Sequence, residues 1–133
     1  PKGQLAVGYR NGPFGLTIRV HSQAGKELWE ANLVRKVVIG GSQMIGGDGR
    51  GNIYVALEYG TSAEVVRVAS TGDTEVAATI VTFRPKPEAD DNAAPYLITP
   101  ARVDAQGRIY VAMTDVNGLA ITRLNPQIKL RRR

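Results

Sequence analysis

The residues that most often carry catalysis are scarce in this chain. The sequence has one histidine, His21, and no cysteine, so it offers no thiolate metal site, no disulfide and no thiol nucleophile. A Ser-His-Asp triad would have to use His21, and no Gly-x-Ser-x-Gly motif accompanies it. We therefore interpret His21 as a side chain at the end of a strand. We predict no catalytic residue, no metal site, no cofactor and no enzymatic activity.

Three carboxylates, Glu88, Asp90 and Asp91, are close together in the sequence and could bind a hard cation through their oxygens. Calcium takes about six to eight oxygen ligands in a shaped loop. The sequence contains no Asp-x-Asp-x-Asn-Gly pattern that would build such a loop. A solvated acidic loop is therefore the favoured interpretation.

Two other segments could bind anions. Residues 47–51 read Gly-Asp-Gly-Arg-Gly, but no Lys-Ser or Lys-Thr pair follows, as a phosphate-binding loop requires. Residues 129–133 supply four basic side chains, and the rest of the chain has 13 basic and 12 acidic residues. This nearly neutral body, and the edge-strand alternation of apolar and basic residues over 128–131, argue against a nucleic-acid partner.

A repeat positions these side chains. Residues 104–112 match residues 48–56, and a third, truncated copy opens the chain at residues 1–7. Each copy predicts a tight turn that ends in a glycine with positive φ, followed by a strand of β-branched and aromatic residues. The aspartates are expected to cap their own turns by hydrogen bonds to the backbone. The predicted turn residues are Gly3, Gly51, Gly107, Asp48 and Asp104.

The turn assignment predicts an order of sensitivity among the glycines. Replacing Gly51 or Gly107 with Val is expected to lower the free energy of unfolding more than replacing Gly15, because only the first two need positive φ. Thermal or chemical denaturation of the three variants would measure this, and equal losses would contradict the assignment.

An arginine recurs sixteen residues after each turn glycine, at Arg19, Arg67 and Arg123. One column of arginines could bind an anion or a sugar in each copy. The favoured interpretation is structural, with each side chain stretched between repeat units and paired locally with carboxylates or carbonyls.

The spacing of the copies indicates the fold class. The periods are 48 and 56 residues, and Asn11-Gly12 and Asn117-Gly118 are strong hairpin signals. Four short strands fit each period, which predicts an all-β chain of four-stranded antiparallel blades, a segment of a β-propeller. The predicted organisation is a blade-one remnant at 1–34, blade two at about 42–82, a long loop at 83–97 and blade three at about 98–131.

Two complete blades and part of a third do not close a ring, since propellers have at least about four blades. We therefore predict that the chain does not close alone. The expected partners are the remaining blades of a parent chain, or identical or related subunits. No run of eighteen apolar residues occurs, so no membrane span is predicted.

Residues 3–10, 48–56 and 122–126, together with 19–20 and 25–29, resemble the β-propeller repeats of bacterial secreted and cell-surface proteins. The resemblance implies a non-enzymatic structural or recognition module of an exported protein, extracellular or at the cell surface. Two alternatives stay open. One is a carbohydrate-binding lectin that closes its ring by self-association, and the other is part of a propeller hydrolase whose catalytic residues lie in other blades.

A propeller would bring the long loop and the second-to-third-strand hairpins to one face, where they could form a binding rim. Trp29 is instead predicted to pack between blades, because it lies on an outer strand. The predicted rim residues are Asn11, Tyr59, Asp115, Asn117, Glu88, Asp90, Asp91 and Tyr96.

Overall fold

The computed structural model describes residues 3–59, 62–81, 101–115 and 118–124, and every regular element in these ranges is a β-strand. The all-β fold class is confirmed. The predicted long loop at 83–97 and the predicted last strand at 127–131 lie outside the described residues. The strands are β1 Leu5–Arg10, β2 Gly15–His21, β3 Glu27–Val34, β4 Gly41–Gly47, β5 Ile53–Glu58, β6 Ser62–Val68, β7 Thr74–Val81, β8 Ala101–Val103, β9 Ile109–Asp115 and β10 Gly118–Leu124.

The strands form three antiparallel sheets in chain order. Sheet I has the order β1-β2-β3, sheet II has β4-β5-β6-β7, and sheet III has β10-β9-β8. All neighbours within a sheet are consecutive in the chain, so each sheet is a meander. The described strands therefore number three, four and three, and only sheet II shows the four strands that the repeat predicts.

Sheet II is buried on both faces, and the alternation along β5 shows why. Val55 and Leu57 point toward sheet I, whereas Tyr54 and Ala56 point toward sheet III. Successive side chains of a strand point to opposite faces. A strand with apolar side chains on both faces, as β5 has from Ile53 to Leu57, therefore fits the middle of a stack of sheets.

Two separate hydrophobic cores result. The core between sheets I and II contains Leu16, Ile18, Val20, Ala31, Leu33, Ile39, Val55, Leu57, Val66 and Val68. The core between sheets II and III contains Ile45, Tyr54, Ala56, Ala63, Val65, Ala78, Ala101, Ile109 and Val111. Trp29 packs against the first core, as its predicted place between repeat units requires.

The three arginines of the sequence repeat do not share one structural position. Arg67 lies opposite Tyr54 and Arg123 lies opposite Tyr110, but Arg19 lies opposite Val7. The hairpin from β1 to β2 has one more residue between its last paired positions than the hairpin from β5 to β6. Because a slip of one residue reverses the faces of a strand, Arg19 lies on the opposite face of its sheet.

The turn glycines have the backbone that the repeat predicts, with φ of 71° at Gly3, 84° at Gly51 and 79° at Gly107. Gly15 is not the tolerant position that the sequence suggested. A Cβ added at Gly15 would lie 2.6 Å from the backbone oxygen of Asn11, so close packing of the hairpin requires glycine there as well. Gly15 therefore cannot serve as the tolerant position against which substitutions at Gly51 and Gly107 are compared.

We expect Gly51→Ala to lower the free energy of unfolding by about 1–2 kcal/mol, because the left-handed backbone is strained for alanine. A Cβ there meets nothing within 4 Å, so the loss reports backbone strain alone. Gly107→Ala should cost more, since its Cβ would lie 2.7 Å from the Tyr54 hydroxyl oxygen. Chemical denaturation measures both, and Gly51→Asn is the control, because asparagine tolerates this backbone better. Equal losses for alanine and asparagine at position 51 would contradict this explanation.

Candidate functional site

One end of the stack carries the β1–β2 turn and the end of β5, which are two of the parts that the sequence assigned to the rim. The Arg35 amide donates to the Phe14 carbonyl at 2.9 Å, and the Ile39 amide donates to the Pro13 carbonyl at 2.9 Å. The Gly40 amide donates to the Glu58 carbonyl at 2.7 Å. Residues 35–40 thus connect the β1–β2 hairpin to the end of β5, so these two parts of the predicted rim lie at one end of the stack.

Tyr59 is fixed within this end by side-chain hydrogen bonds. Its hydroxyl donates to Glu64 Oε2 at 3.0 Å and accepts from Arg35 Nε at 3.1 Å, and Arg35 Nε also lies 3.2 Å from Glu64 Oε2. Burial and the hydrogen bond to Glu64 raise the pKa of Tyr59 to about 12. Because its side chain packs against the first core, Tyr59 is part of the scaffold at this end of the stack.

The remaining rim residues are only partly covered by the structure. Asn11 is exposed, and its amide donates to the Gly15 carbonyl at 3.0 Å. The backbone of Asp115 ends β9 and pairs with Gly118. The other predicted rim residues, Asn117, Glu88, Asp90, Asp91 and Tyr96, lie outside the described residues, so a joint rim remains a prediction.

The opposite end of the stack carries the aspartate turns. Asp48 Oδ1 accepts from the backbone amides of Arg50 at 2.9 Å and Asn52 at 3.1 Å. Asp48 Oδ2 accepts from Asn52 Nδ2 at 2.8 Å and from the Tyr54 hydroxyl at 3.1 Å. These bonds close the turn and tie it to β5, so the buried carboxylate has a structural role.

Asp104 repeats this arrangement in the next copy. Its carboxylate accepts from the backbone amides of Gln106 at 3.0 Å and Arg108 at 2.9 Å, and the Tyr110 hydroxyl lies 3.4 Å away. The Gly49 amide donates to the Ala105 carbonyl at 2.8 Å and joins the two turns. The sequence reasoning expected the backbone caps but missed the tyrosines, although a tyrosine follows each of these aspartates by six residues.

The pKa of Asp48 reflects a competition between burial and hydrogen bonding. Burial, the largest single influence, raises the pKa, but the bonds from Asn52, Arg50 and Tyr54 together outweigh it and lower the pKa below its usual value of 3.8. Burial and the hydrogen bond to Asp48 raise the pKa of Tyr54 to about 12. The pair is therefore held as carboxylate and neutral phenol at neutral pH.

His21 and Arg19, for which the sequence favoured a structural role, both have local partners. His21 Nδ1 lies 3.4 Å from the Gly25 carbonyl oxygen at the end of β2. Arg19 donates from Nε to Glu30 Oε2 at 2.6 Å, and its guanidinium carbon lies 5.2 Å from the centre of the Tyr9 ring. Within residues 3–59, 62–81, 101–115 and 118–124, no three His, Cys, Asp or Glu side chains are grouped so as to hold a metal ion.

The outer faces of the stack expose apolar side chains. Val7 and Tyr9 are 42% and 40% exposed, whereas Val55 and Leu57, which occupy the same repeat positions in sheet II, are fully buried. Ile121 is 71% exposed on sheet III, although the structurally equivalent Val65 is 0% exposed. The repeat aligned these residues, but the pairing register was needed to show which face each one occupies.

Comparison of the chain with family models, with curated proteins and with solved structures gives no match. Among the described residues, no helix is long and apolar enough to cross a lipid bilayer.

We expect Asp48→Ala to lower the free energy of unfolding by about 2 kcal/mol at neutral pH, because a carboxylate that accepts several hydrogen bonds is lost. The pKa of Asp48 is lowered on folding, so its ionisation stabilises the fold above about pH 4. This contribution disappears as the pH falls through the lowered folded-state pKa. A second variant, Asp48→Asn, keeps the side-chain size but cannot ionise. Denaturation at several pH values measures the difference in the free energy of unfolding between this variant and the parent chain, and the difference should shrink at acid pH. Asp73→Ala is the control, since Asp73 is exposed, and an equal loss there would contradict a special role for Asp48.

Proposed function

We propose that this chain is a non-enzymatic structural and recognition module of the β-propeller type, whose sheets are the blades and whose two outer faces receive further sheets of the same repeat. The observation that carries the proposal is the exposure of Val7 and Tyr9 at positions where Val55 and Leu57 are buried by the preceding sheet. A repeat unit whose neighbour-facing side is apolar is stabilised by a neighbour on that side.

The outer faces of sheets I and III match each other in the same way as the faces that meet between the sheets of the stack. The outer face of sheet I is defined here by Leu5, Val7 and Tyr9. The outer face of sheet III is defined by Tyr110, Ala112 and Ile121, which correspond to the sheet II residues Tyr54, Ala56 and Val65 that pack toward sheet III. A further sheet on either side would therefore repeat an interface that the chain already contains twice.

Charged side chains also favour contact between the outer face of sheet I and the outer face of sheet III. Glu27 and Glu30 are exposed and pair across from His21 and Arg19, on the outer face of sheet I. Arg102 and Arg123 are exposed and both lie opposite Tyr110, on the outer face of sheet III. Arg19 lies on the same face of sheet I and pairs with both glutamates, so one carboxylate is in excess there. An excess carboxylate on one face and two guanidinium groups on the other favour head-to-tail contact over contact between two like faces.

The remaining parts of the proposal rest on the sequence. A non-enzymatic role follows from a chain with one histidine and no cysteine. An exported or cell-surface location follows from the resemblance of the repeats to those of secreted bacterial proteins. The recognition role belongs to the rim end, where residues 35–40 link the β1–β2 turn to the end of β5.

We expect the chain to self-associate in a concentration-dependent way, because the outer faces of sheets I and III of two copies match. Val7→Lys should lower the association constant by at least about tenfold, since it places a charge in the apolar contact. Analytical ultracentrifugation measures the association. Val37→Lys is the matched control, because Val37 is equally apolar and 59% exposed but lies in the 35–40 connection.

A chain that stays monomeric at high concentration would contradict the proposal. So would a Val7→Lys variant that associates as strongly as the Val37→Lys control.

A further inference from the structure

The tip of the β1–β2 hairpin carries an asparagine followed by a glycine, Asn11-Gly12, and both residues are exposed. Gly12 has a φ of 75°. A Cβ added there would lie more than 4 Å from every described atom beyond the two neighbouring residues, so the space around this backbone is open. Glycine has no side chain to shield its nitrogen, and its backbone rotates more freely than that of any other residue. The tip therefore places an accessible side-chain amide beside an unhindered backbone nitrogen.

Hydrogen bonds within the described residues do not hold either of these two groups. The Gly12 amide donates to no acceptor there, and the Asn11 side chain has no partner, although the Asn11 backbone amide donates to the Gly15 carbonyl at 3.0 Å. The whole hairpin belongs to the unbroken described range 3–59. Rotation of the Asn11 side chain therefore brings its Cγ toward the Gly12 nitrogen without breaking a hydrogen bond to the rest of this range.

The other two described asparagines are held in place. Asn52 donates from Nδ2 to Asp48 Oδ2 at 2.8 Å, and its backbone amide donates to Asp48 Oδ1 at 3.1 Å. It is followed by Ile53, whose branched side chain crowds the next backbone nitrogen. Asn32 Oδ1 accepts from Thr17 Oγ1 at 2.7 Å, and an aliphatic residue follows it as well. These two asparagines provide internal references for the exposed one.

We propose that Asn11 is a site of spontaneous deamidation in the folded chain. The Gly12 nitrogen forms a bond to Asn11 Cγ, the bond from Cγ to Nδ2 breaks, and Nδ2 leaves as ammonia with the proton of the Gly12 nitrogen. The product is a cyclic succinimide. A solvent water molecule then opens the ring and returns a proton to the nitrogen. Its hydroxyl adds either at Cγ, which gives aspartate, or at the backbone carbonyl carbon, which gives isoaspartate.

The same ring can form where an aspartate precedes a glycine, and Asp48-Gly49 is such a pair. There the structure opposes the reaction. The Asp48 carboxylate is buried and accepts several hydrogen bonds, and the Gly49 amide donates to the Ala105 carbonyl at 2.8 Å. The residue pair alone therefore does not mark the reactive position, and the open hairpin tip distinguishes Asn11.

Isoaspartate would change the hairpin more than aspartate would, because it adds a methylene group to the main chain. The turn has little room for this, since a Cβ at Gly15 would already lie 2.6 Å from the Asn11 carbonyl oxygen. The next two residues of the turn supply the carbonyls that accept from the amides of Arg35 and Ile39. We therefore expect isoaspartate to loosen the contact between the turn and residues 35–40, whereas aspartate adds only a negative charge.

The modification goes beyond the proposed function, because it needs no partner and no second copy. It occurs whether or not the outer faces of sheets I and III associate. Its effect falls on the rim end, whose charge and backbone would change as the protein ages.

Peptide mapping by mass spectrometry tests the proposal on the folded chain, incubated at neutral and mildly alkaline pH. We expect conversion at Asn11 to be at least about tenfold faster than at Asn52, because Asn52 must first lose its bond to the Asp48 carboxylate. The rate should rise with pH, since the Gly12 nitrogen must lose its proton. Chromatography separates the aspartate and isoaspartate peptides, which have the same mass. The map also distinguishes Asn11 from Asn117, which lies outside the described residues.

Incubation in denaturant provides the reference for the effect of folding. Unfolding should accelerate conversion at Asn52 at least about tenfold, because its hydrogen bonds are lost. It should change the rate at Asn11 by less than about tenfold, since the folded hairpin already leaves that residue open.

Two variants separate the steps. Asn11→Gln should stay unmodified over the same period, because its longer side chain forms the corresponding ring more slowly. Freshly prepared Asn11→Asp carries the charge on an unchanged main chain. Hydrogen exchange at the Arg35 and Ile39 amides should be at least about tenfold faster in the isoaspartate form than in the parent chain, and unchanged in Asn11→Asp.

Several results would overturn the proposal. Conversion at Asn11 in denaturant but not in the folded chain would show that the hairpin protects the residue. Equal rates at Asn11 and Asn52 in the folded chain would remove the role of the open tip. Aspartate without isoaspartate would exclude the succinimide, and unchanged exchange at Arg35 and Ile39 would exclude the effect on the rim end.

Discussion

Burial of sheet II between two other sheets is the constraint on which the described structure depends. Its central strands, β5 and β6, carry apolar side chains on both faces, so neither face can be left to solvent without a large cost. A fully buried Val or Leu side chain contributes about 1.5–3 kcal/mol relative to an exposed one. Val55, Leu57, Val65, Val66 and Val68 are all fully buried in sheet II, and they depend on sheets I and III for that burial.

The same constraint explains why sheets I and III differ from sheet II. Each of them buries one face and leaves the other exposed, although all three sheets derive from one repeat. Val7 and Ile121 are apolar because their repeat positions are apolar, and their exposure reflects the place of their sheets in the stack. In a linear array of repeats, each unit contacts only its neighbours. The outer units therefore keep one apolar face exposed unless a further unit covers it.

The polar residues serve the same architecture. Asp48 and Asp104 close turns at one end of the stack, and the tyrosine six residues later fixes each turn to its strand. Arg35, Tyr59 and Glu64 hold the other end. Both networks fix the ends of strands whose faces are apolar. The sheets are thus held in register by hydrogen bonds at their ends and held together by burial between them.

Features governed by a few adjacent residues were predictable from the sequence. The glycine turns and their aspartate caps depend only on local backbone conformation and short side-chain reach, and both appear at Asp48 and Asp104 as expected. The arginine column failed at Arg19 because one additional residue in a hairpin changes the pairing register, and register decides the face. Gly15 was misjudged because its closeness to the Asn11 carbonyl exists only in the folded hairpin.

The sequence by itself determined that this protein is all-β, that its strands repeat, and where its aspartate turns lie. Those properties follow from side-chain alternation and turn chemistry, which act over a few residues. Only the tertiary structure decided which face of each sheet is buried and which arginines share a position. These depend on strand pairing and on the order of the sheets in the stack, and residues distant in the sequence set both.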